Sequence, residues 1–249
     1  MNAKAQLDEY LIFGGSPQHL VQERFENEIL PELLDGLDAS QRTCFMEVLR
    51  VIAGSLGMIH RLSALSKSLA ISKTSITLYL DRMEKSSLLH RINPYYCDSE
   101  KEISTYPQYY FNDLGVRNYI HGTLTPSLPE HEMNYLFSNY VFLMLKNKLH
   151  NNSASIHFWK THTKAQLAFV LVQGKETLPI EASYSYISKP EISPSMKAYL
   201  SLYRPKKAII VHLGEHLSII EDNTHVCWLP FHEFPEENTM ETVLPALMV

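Results

Sequence analysis

The carboxylate of Glu181 stands in the middle of a short apolar run, Pro179-Ile180-Glu181-Ala182-Ser183. A second apolar run, Ala165-Gln166-Leu167-Ala168-Phe169-Val170-Leu171, lies just before it, about a turn away. Both have the length and composition of strands. A carboxylate on a strand can ligate a divalent cation when other oxygen donors converge on it, and such an ion supports phosphodiester hydrolysis. The structural alternative is an acid that makes only a hydrogen bond or an ion pair.

A second set of residues suits nucleic-acid contacts. Ser72, Lys73, Thr74 and Ser75 open a helix where they could meet phosphates or bases, with Arg61, Lys67, Arg82, Lys85 and Arg91 nearby and Lys101 on the following loop. Against this, Leu78 and Asp81 share a face with Thr74 and Lys85, and a carboxylate is repelled by a phosphate-lined groove. A protein-docking role suits such a surface equally.

Other candidates are weaker. His212 and His216 are four apart, but Gly214 between them denies a helical pairing. His225 and Cys227, two apart on a strand, would share a face and have the geometry of a zinc pair, yet no C-x-x-C or H-x-x-x-H partner completes it, and the expected metal is none. Ser153 and Ser155 lack a G-x-S-x-G setting. Tyr95-Tyr96, Tyr109-Tyr110-Phe111 and Tyr184-Ser185-Tyr186 could stack bases, although aromatic residues at strand positions ordinarily fill cores.

The elements that must position these residues follow from periodicity. Residues 1–38 read as a helical lead-in, with Leu7, Tyr10 and Leu11 on one face and a break at Gly14-Gly15-Ser16-Pro17. Leu20, Val21, Phe25, Ile29 and Leu30 resume helical spacing, and Pro31 is expected to interrupt it. Residues 39–121 read as three helices and two strands. The first helix spans 40–53 with Ser40 as its N-cap, the second 61–69, and the third about 73–86 with Ser72 as its cap and Ile76, Leu80 and Met83 buried. Strands are expected at 88–92 and 109–111, giving a winged helix-turn-helix order. After a Pro-containing linker at 122–130 come a helix over about 132–149, strands at 156–159, 167–172 and 178–182, a helix at 195–202, and strands at 208–213, 217–220 and 226–229. A mixed sheet flanked by helices accommodates this order.

The bulk properties fit two modest domains: 249 residues, 45% hydrophobic and 20% charged. The net charge of −5 argues mildly against tight non-specific DNA binding. Three separated cysteines, Cys44, Cys97 and Cys227, make no disulfide framework. With no apolar signal core and no membrane-length run, a cytoplasmic location and no membrane partner are expected.

The order of pieces resembles the C-terminal half of a family of archaeal and bacterial AAA-type ATPases, which join an ATPase domain to a winged helix and a PD-(D/E)xK-like nuclease domain. The residues carrying the resemblance are Tyr10-Leu11-Ile12-Phe13-Gly14-Gly15-Ser16-Pro17, the stretch Leu65 to Ile76, Pro107 to Gly115, Ile156-His157-Phe158-Trp159-Lys160 and Pro179-Ile180-Glu181. It implies an α+β or α/β chain divided as follows: a lead-in at 1–38 that is a remnant of the ATPase lid, a winged helix-turn-helix at 39–121, a restriction-endonuclease-like mixed-sheet domain at 130–235 and a tail at 236–249. The departures matter more than the matches. Gly174-Lys175 is the sole Gly-Lys step, with Phe169 where a nucleotide-binding loop needs its first glycine and Glu176 where it needs Ser or Thr. The family's helix acid is replaced by Ser138 within Ser138-Asn139-Tyr140-Val141-Phe142, its strand acid by Ala168, and its lysine by Ser183, while Glu181 remains.

The expectation is therefore a pseudoenzyme without cofactor. It would bind DNA, an ATPase-bearing protein or a second copy of itself. The alternatives are a diverged metal-dependent nuclease that still uses Glu181, or a winged-helix transcriptional regulator.

Overall fold

The computed structural model describes residues 3–95, 106–149, 153–161 and 164–234. Two units separate by their internal contacts, one comprising Met1–Arg91 and Tyr106–Asn139, the other Ile92–Thr105 and Tyr140–Val249.

The first unit begins with α1 (Ala3–Phe13) and α2 (Gln18–Arg24), whose last turn widens into a π-helical turn at Phe25–Ile29 and continues as α3 (Leu30–Leu34). Pro31 was expected to interrupt this stretch. The helical path runs on through it, and the change from π to α hydrogen bonding falls just before it. Leu7, Leu11, Ile12, Val21 and Phe25 are buried, whereas Leu20 points outward at 45% exposure.

Next come α4 (Ala39–Ala53), α5 (Leu62–Leu69) and α6 (Lys73–Lys85). The cap of α4 is Asp38, not Ser40. Its carboxylate accepts from Gln41 N at 2.9 Å while Gln41 Oε1 accepts from Asp38 N at 3.0 Å, a reciprocal capping box that a carboxylate and a long amide make better than Ser40 could. Ser72 caps α6 as expected, accepting from Ser75 N at 3.0 Å, and Ile76, Leu80 and Met83 are buried. Strand β1 (Leu89–Pro94) and strand β2 (Gln108–Phe111) follow, then α7 (Leu114–His121), a helix the periodicity did not reveal. Asp113 caps α7 and Gly122 ends it in the left-handed region.

Two glycine contacts lock α1 to α7. A Cβ on Gly14 (φ +67°) would come within 2.6 Å of both Asp113 Oδ1 and Gly115 N, and a Cβ on Gly115 would collide with the Phe13 carbonyl. The Asn118 amide adds two donors, to Leu11 O at 3.0 Å and Ile12 O at 2.8 Å. The segments Tyr10–Pro17 and Pro107–Gly115 thus pack on each other within one unit.

The unit division falls inside β1 and inside α8 (Glu130–Lys148). In the second unit the end of β1 pairs in parallel with β3 (Ser155–Lys160), which leads into an antiparallel meander with β4 (Gln166–Gln173) and β5 (Glu176–Ala182). Helix α9 (Pro194–Tyr203) then carries the chain to β6 (Lys207–His212), parallel to β5. The sheet closes with β8 (Thr224–Pro230) parallel to β6, and β7 (Leu217–Glu221) at the edge as the antiparallel hairpin partner of β8. Asp222 and Asn223, both with positive φ, make the tight hairpin turn.

Each face of this sheet is covered. Trp159, Val170, Ile210 and Trp228 pack with Met196 and Tyr199 of α9 on one face. On the other, Phe142 of α8 stacks on Phe169 of β4 with ring centroids 6.3 Å apart. The result is a mixed sheet between helices.

Candidate functional site

Of the positions that the resemblance assigns to a metal site, Ala168 lies on β4, Glu181 on β5 and Ser183 just beyond the end of β5. The β3–β4 ladder shifts register between the His157–Val170 and Trp159–Leu167 pairs, so Ala168 and Phe169 together face Phe158. Such bulges recur beside active sites, where they re-aim a side chain. Here the chain distorts at the position the resemblance assigns to the strand acid, and the residue there is an alanine.

Glu181 lies one step beyond the Phe169–Ile180 pair on the neighbouring strand, opposite Ile210 of β6, on the face covered by α9. Its Oε1 accepts a hydrogen bond from Ser193 Oγ at 2.5 Å, and the same hydroxyl accepts from Met196 N at 3.0 Å to cap α9. A hydroxyl has one donor and two acceptor sites, so Ser193 serves both groups at once. Nearby, Ser195 Oγ accepts from Gln166 N at 3.1 Å, tying the first turn of α9 to β4. Burial pushes the Glu181 carboxyl above its ordinary range, and the Ser193 hydrogen bond opposes that only in part.

Ser183, two residues on, donates its N–H to Val211 O at 2.9 Å and pairs its hydroxyl with Ser185 Oγ at 2.7 Å. Ser138 lies on the segment of α8 that belongs to the first unit. Ala168 and Glu181 thus stand on adjoining strands, and Ser183 follows the end of β5. Among the described residues no group of three His, Cys, Asp or Glu side chains is placed to hold a metal ion.

Sequence reasoning missed Ser193 and Asn139. Asn139, beside Ser138, is fully buried, and its amide exchanges hydrogen bonds with Phe111 N and Phe111 O, each at 2.8 Å. It acts as an extra strand residue along the edge of β2. The signal that could have found Ser193 was Ser-Pro before an apolar helix, the usual start of a capped helix.

On α6, Ser72 and Ser75 are engaged in the cap, while Lys73 and Thr74 are exposed. Arg82 donates to the Asp35 carbonyl at 2.6 Å. Arg91 is bound by Glu84 at 2.7 Å and approaches Asp81 at 3.4 Å. Leu78 is 59% exposed. Two of the expected phosphate contacts are thus already spent inside the unit. Lys101, Cys97 and Tyr96 lie outside the described residues.

The remaining candidates resolve as local structure. Cys227 Sγ stands 3.7 Å from both ring nitrogens of His225, with burial raising the thiol and so disfavouring the thiolate a metal needs. Ser155 Oγ lies 2.8 Å from His157 Nε2, but among the described residues no carboxylate bonds that ring, and burial lowers its pKa. His212 takes the Gly214 N–H on Nδ1 at 3.0 Å.

Two family models match successive parts of the chain. Residues 4–127 match a family model described as a domain of unknown function, DUF8612, and residues 134–232 match another, DUF4143. Over 174 residues, 67% of this chain, the sequence is 23% identical to the uncharacterized protein Rv2008c of Mycobacterium tuberculosis and to its counterpart Mb2031c of Mycobacterium bovis. The match spans 37% of the length of each relative. The chain is thus similar to DUF8612 domains in its first half, to DUF4143 domains in its second, and more distantly to two mycobacterial proteins about which their names say nothing further.

Proposed function

We propose that this protein is a non-catalytic attachment module related to the C-terminal half of AAA-type ATPases, with a winged-helix-like first unit and an inactivated nuclease-like second unit. It works by binding a protein, DNA or both. One observation carries this reading: the surviving acid, Glu181, is bonded to the cap of α9 beside a bulge whose acid position is Ala168. Mg²⁺ requires near-octahedral oxygen donors and keeps several waters, so one carboxylate already engaged by a hydroxyl is a poor ligand set. The lysine position, Ser183, supplies no cation to steady charge on a phosphate. The similarity to DUF4143, a domain found in AAA-ATPase-associated proteins, supports an ATPase-bearing protein as partner.

Of the two ligand classes, protein is favoured. Arg82 is bonded to the Asp35 carbonyl and Arg91 is paired with Glu84 and Asp81, while Leu78 stands exposed on the outer face of α6. DNA remains the second reading because Lys73 and Thr74 stand exposed at the start of α6, the end that reads bases in helix-turn-helix proteins.

Affinity capture from the native host with the full chain tests the proposal. A stably bound protein, with duplex DNA retained weakly and lost on raising salt, is the expected result. Recovery of neither partner counts against attachment as the function.

A further inference from the structure

Resting on the reading above, the outer face of α6 gains a more specific role. It forms one wall of a groove of about 540 Å³ within the first unit, and α3 with the turn after it forms the other. Leu78 and Asp81 line the α6 side; Glu32, Asp35 and Leu37 line the opposite side. Arg82 bridges the walls by its bond to the Asp35 carbonyl, which fixes their separation.

Two properties define what fits. First, Leu78 is 59% exposed on a helix whose other leucine, Leu80, is 1% exposed. A large aliphatic side chain beside a concave surface gains by being covered. Second, the wall facing it is acidic. From Arg24 to Arg42 the sequence carries Glu26, Glu28, Glu32, Asp35 and Asp38 with no lysine or arginine between. Glu26 is occupied by Tyr119 and Gln22, and Asp38 by the cap of α4. Glu32 and Asp35 remain exposed at the groove itself. Arg82 and Lys85 also line the groove, so cationic side chains are favoured along the wall that carries Glu32 and Asp35.

We infer that the groove is a docking site for a basic, amphipathic segment of a partner protein, which sets an apolar side chain against Leu78 and lysines or arginines against Glu32 and Asp35. Helices lay their apolar faces into grooves in this way, and the charges set orientation and association rate. Lys85 at one end selects against a segment that is basic along its whole length and favours one with an acid at that end.

The test uses the full chain and three fluorescein-labelled probes read by anisotropy: an amphipathic helical peptide with leucines on one face and lysines on the other, the same peptide with glutamate for lysine, and a DNA duplex. The lysine peptide is expected to bind with a salt-weakened affinity, and Leu78→Asp and Glu32→Lys are each expected to weaken it about tenfold, or about 1.4 kcal/mol. Leu78→Ala, the milder change, gives a smaller loss and confirms the site should the aspartate variant fold poorly. The glutamate peptide is expected not to bind. The assignment is overturned if the lysine peptide fails to saturate, if all variants bind it like the parent, or if Leu78→Asp weakens duplex binding instead. Any of these without DNA cleavage leaves the non-catalytic reading standing. Cleavage that depends on Glu181, with peptide binding intact, removes that reading and spares the groove.

Discussion

The side-chain amide of Asn139 pairs with the backbone of Phe111 as a neighbouring strand would, giving and receiving one hydrogen bond at 2.8 Å each. Both residues are fully buried. The asparagine beside Ser138 therefore has structural work, closing the open side of β2. Asn139→Ala leaves a buried N–H and C=O unpaired and is expected to destabilise the protein by about 2–4 kcal/mol. Urea denaturation followed by far-UV circular dichroism checks this. Asn139→Asp sets a buried carboxylate against the Phe111 carbonyl and is expected to cost at least as much; an alanine variant as stable as the parent would rule this structural role out.

Arg117 is a buried cation held by Ala53 O at 2.6 Å, by Asn118 Oδ1 at 2.9 Å and by Glu132 at 3.2 Å. Its side chain is 1% exposed. Removing Glu132 strands a charge in the interior. Glu132→Ala should therefore cost about 3 kcal/mol or more, whereas Arg117→Met combined with Glu132→Ala costs less than the two single changes added together. A double-mutant cycle by chemical denaturation measures the coupling, and strict additivity would show that the pair does not interact.

These two residues also mark where sequence reading succeeded and where it stopped. Helices α4, α5 and α6 and most strands follow from period and caps, because their burial repeats locally. Helix α7 does not, since its buried face includes Gly115, Arg117 and Asn118, whose partners lie as far as 107 residues away. That Ala168 offers no carboxylate and Ser183 no cation is legible from residue types alone. The fate of Glu181 is not, because Ser193 reaches it only after α9 folds back on the sheet.

Glu181 itself offers a test by pH. Its folded-state carboxyl is raised by burial above the unfolded value, so the stability it contributes is present below the unfolded value and lost as pH rises through the folded one. At neutral pH the buried charge is a cost. Glu181→Gln keeps an acceptor for Ser193 and removes that charge. Its Tm is expected to equal or exceed the parent's at pH 7, with the advantage shrinking toward pH 4. A large loss of stability at pH 7 would mean that the ionised carboxylate is needed.

The buried imidazole of His212 has the opposite sign. Burial lowers its pKa despite the nearby Glu233, and its Nδ1 must stay unprotonated to accept the Gly214 N–H. The stability it contributes is present above the unfolded value of about 6.5 and lost as pH falls through the folded value. His60 and His157, also lowered by burial, act in the same direction. Chemical denaturation at pH 7.5 and 5.5 should show lower stability at the acid pH, with a smaller drop in His212→Asn. An identical drop in that variant would remove His212 from the effect.

On the proposed reading, the Glu181 carboxylate, already engaged by Ser193, does not support metal-dependent cleavage. The most direct measurement incubates the full chain with supercoiled, linear and single-stranded DNA in Mg²⁺ and in Mn²⁺, beside Glu181→Ala. No cleavage above the protein-free blank is expected in either sample. Turnover by the parent that disappears in Glu181→Ala would contradict it.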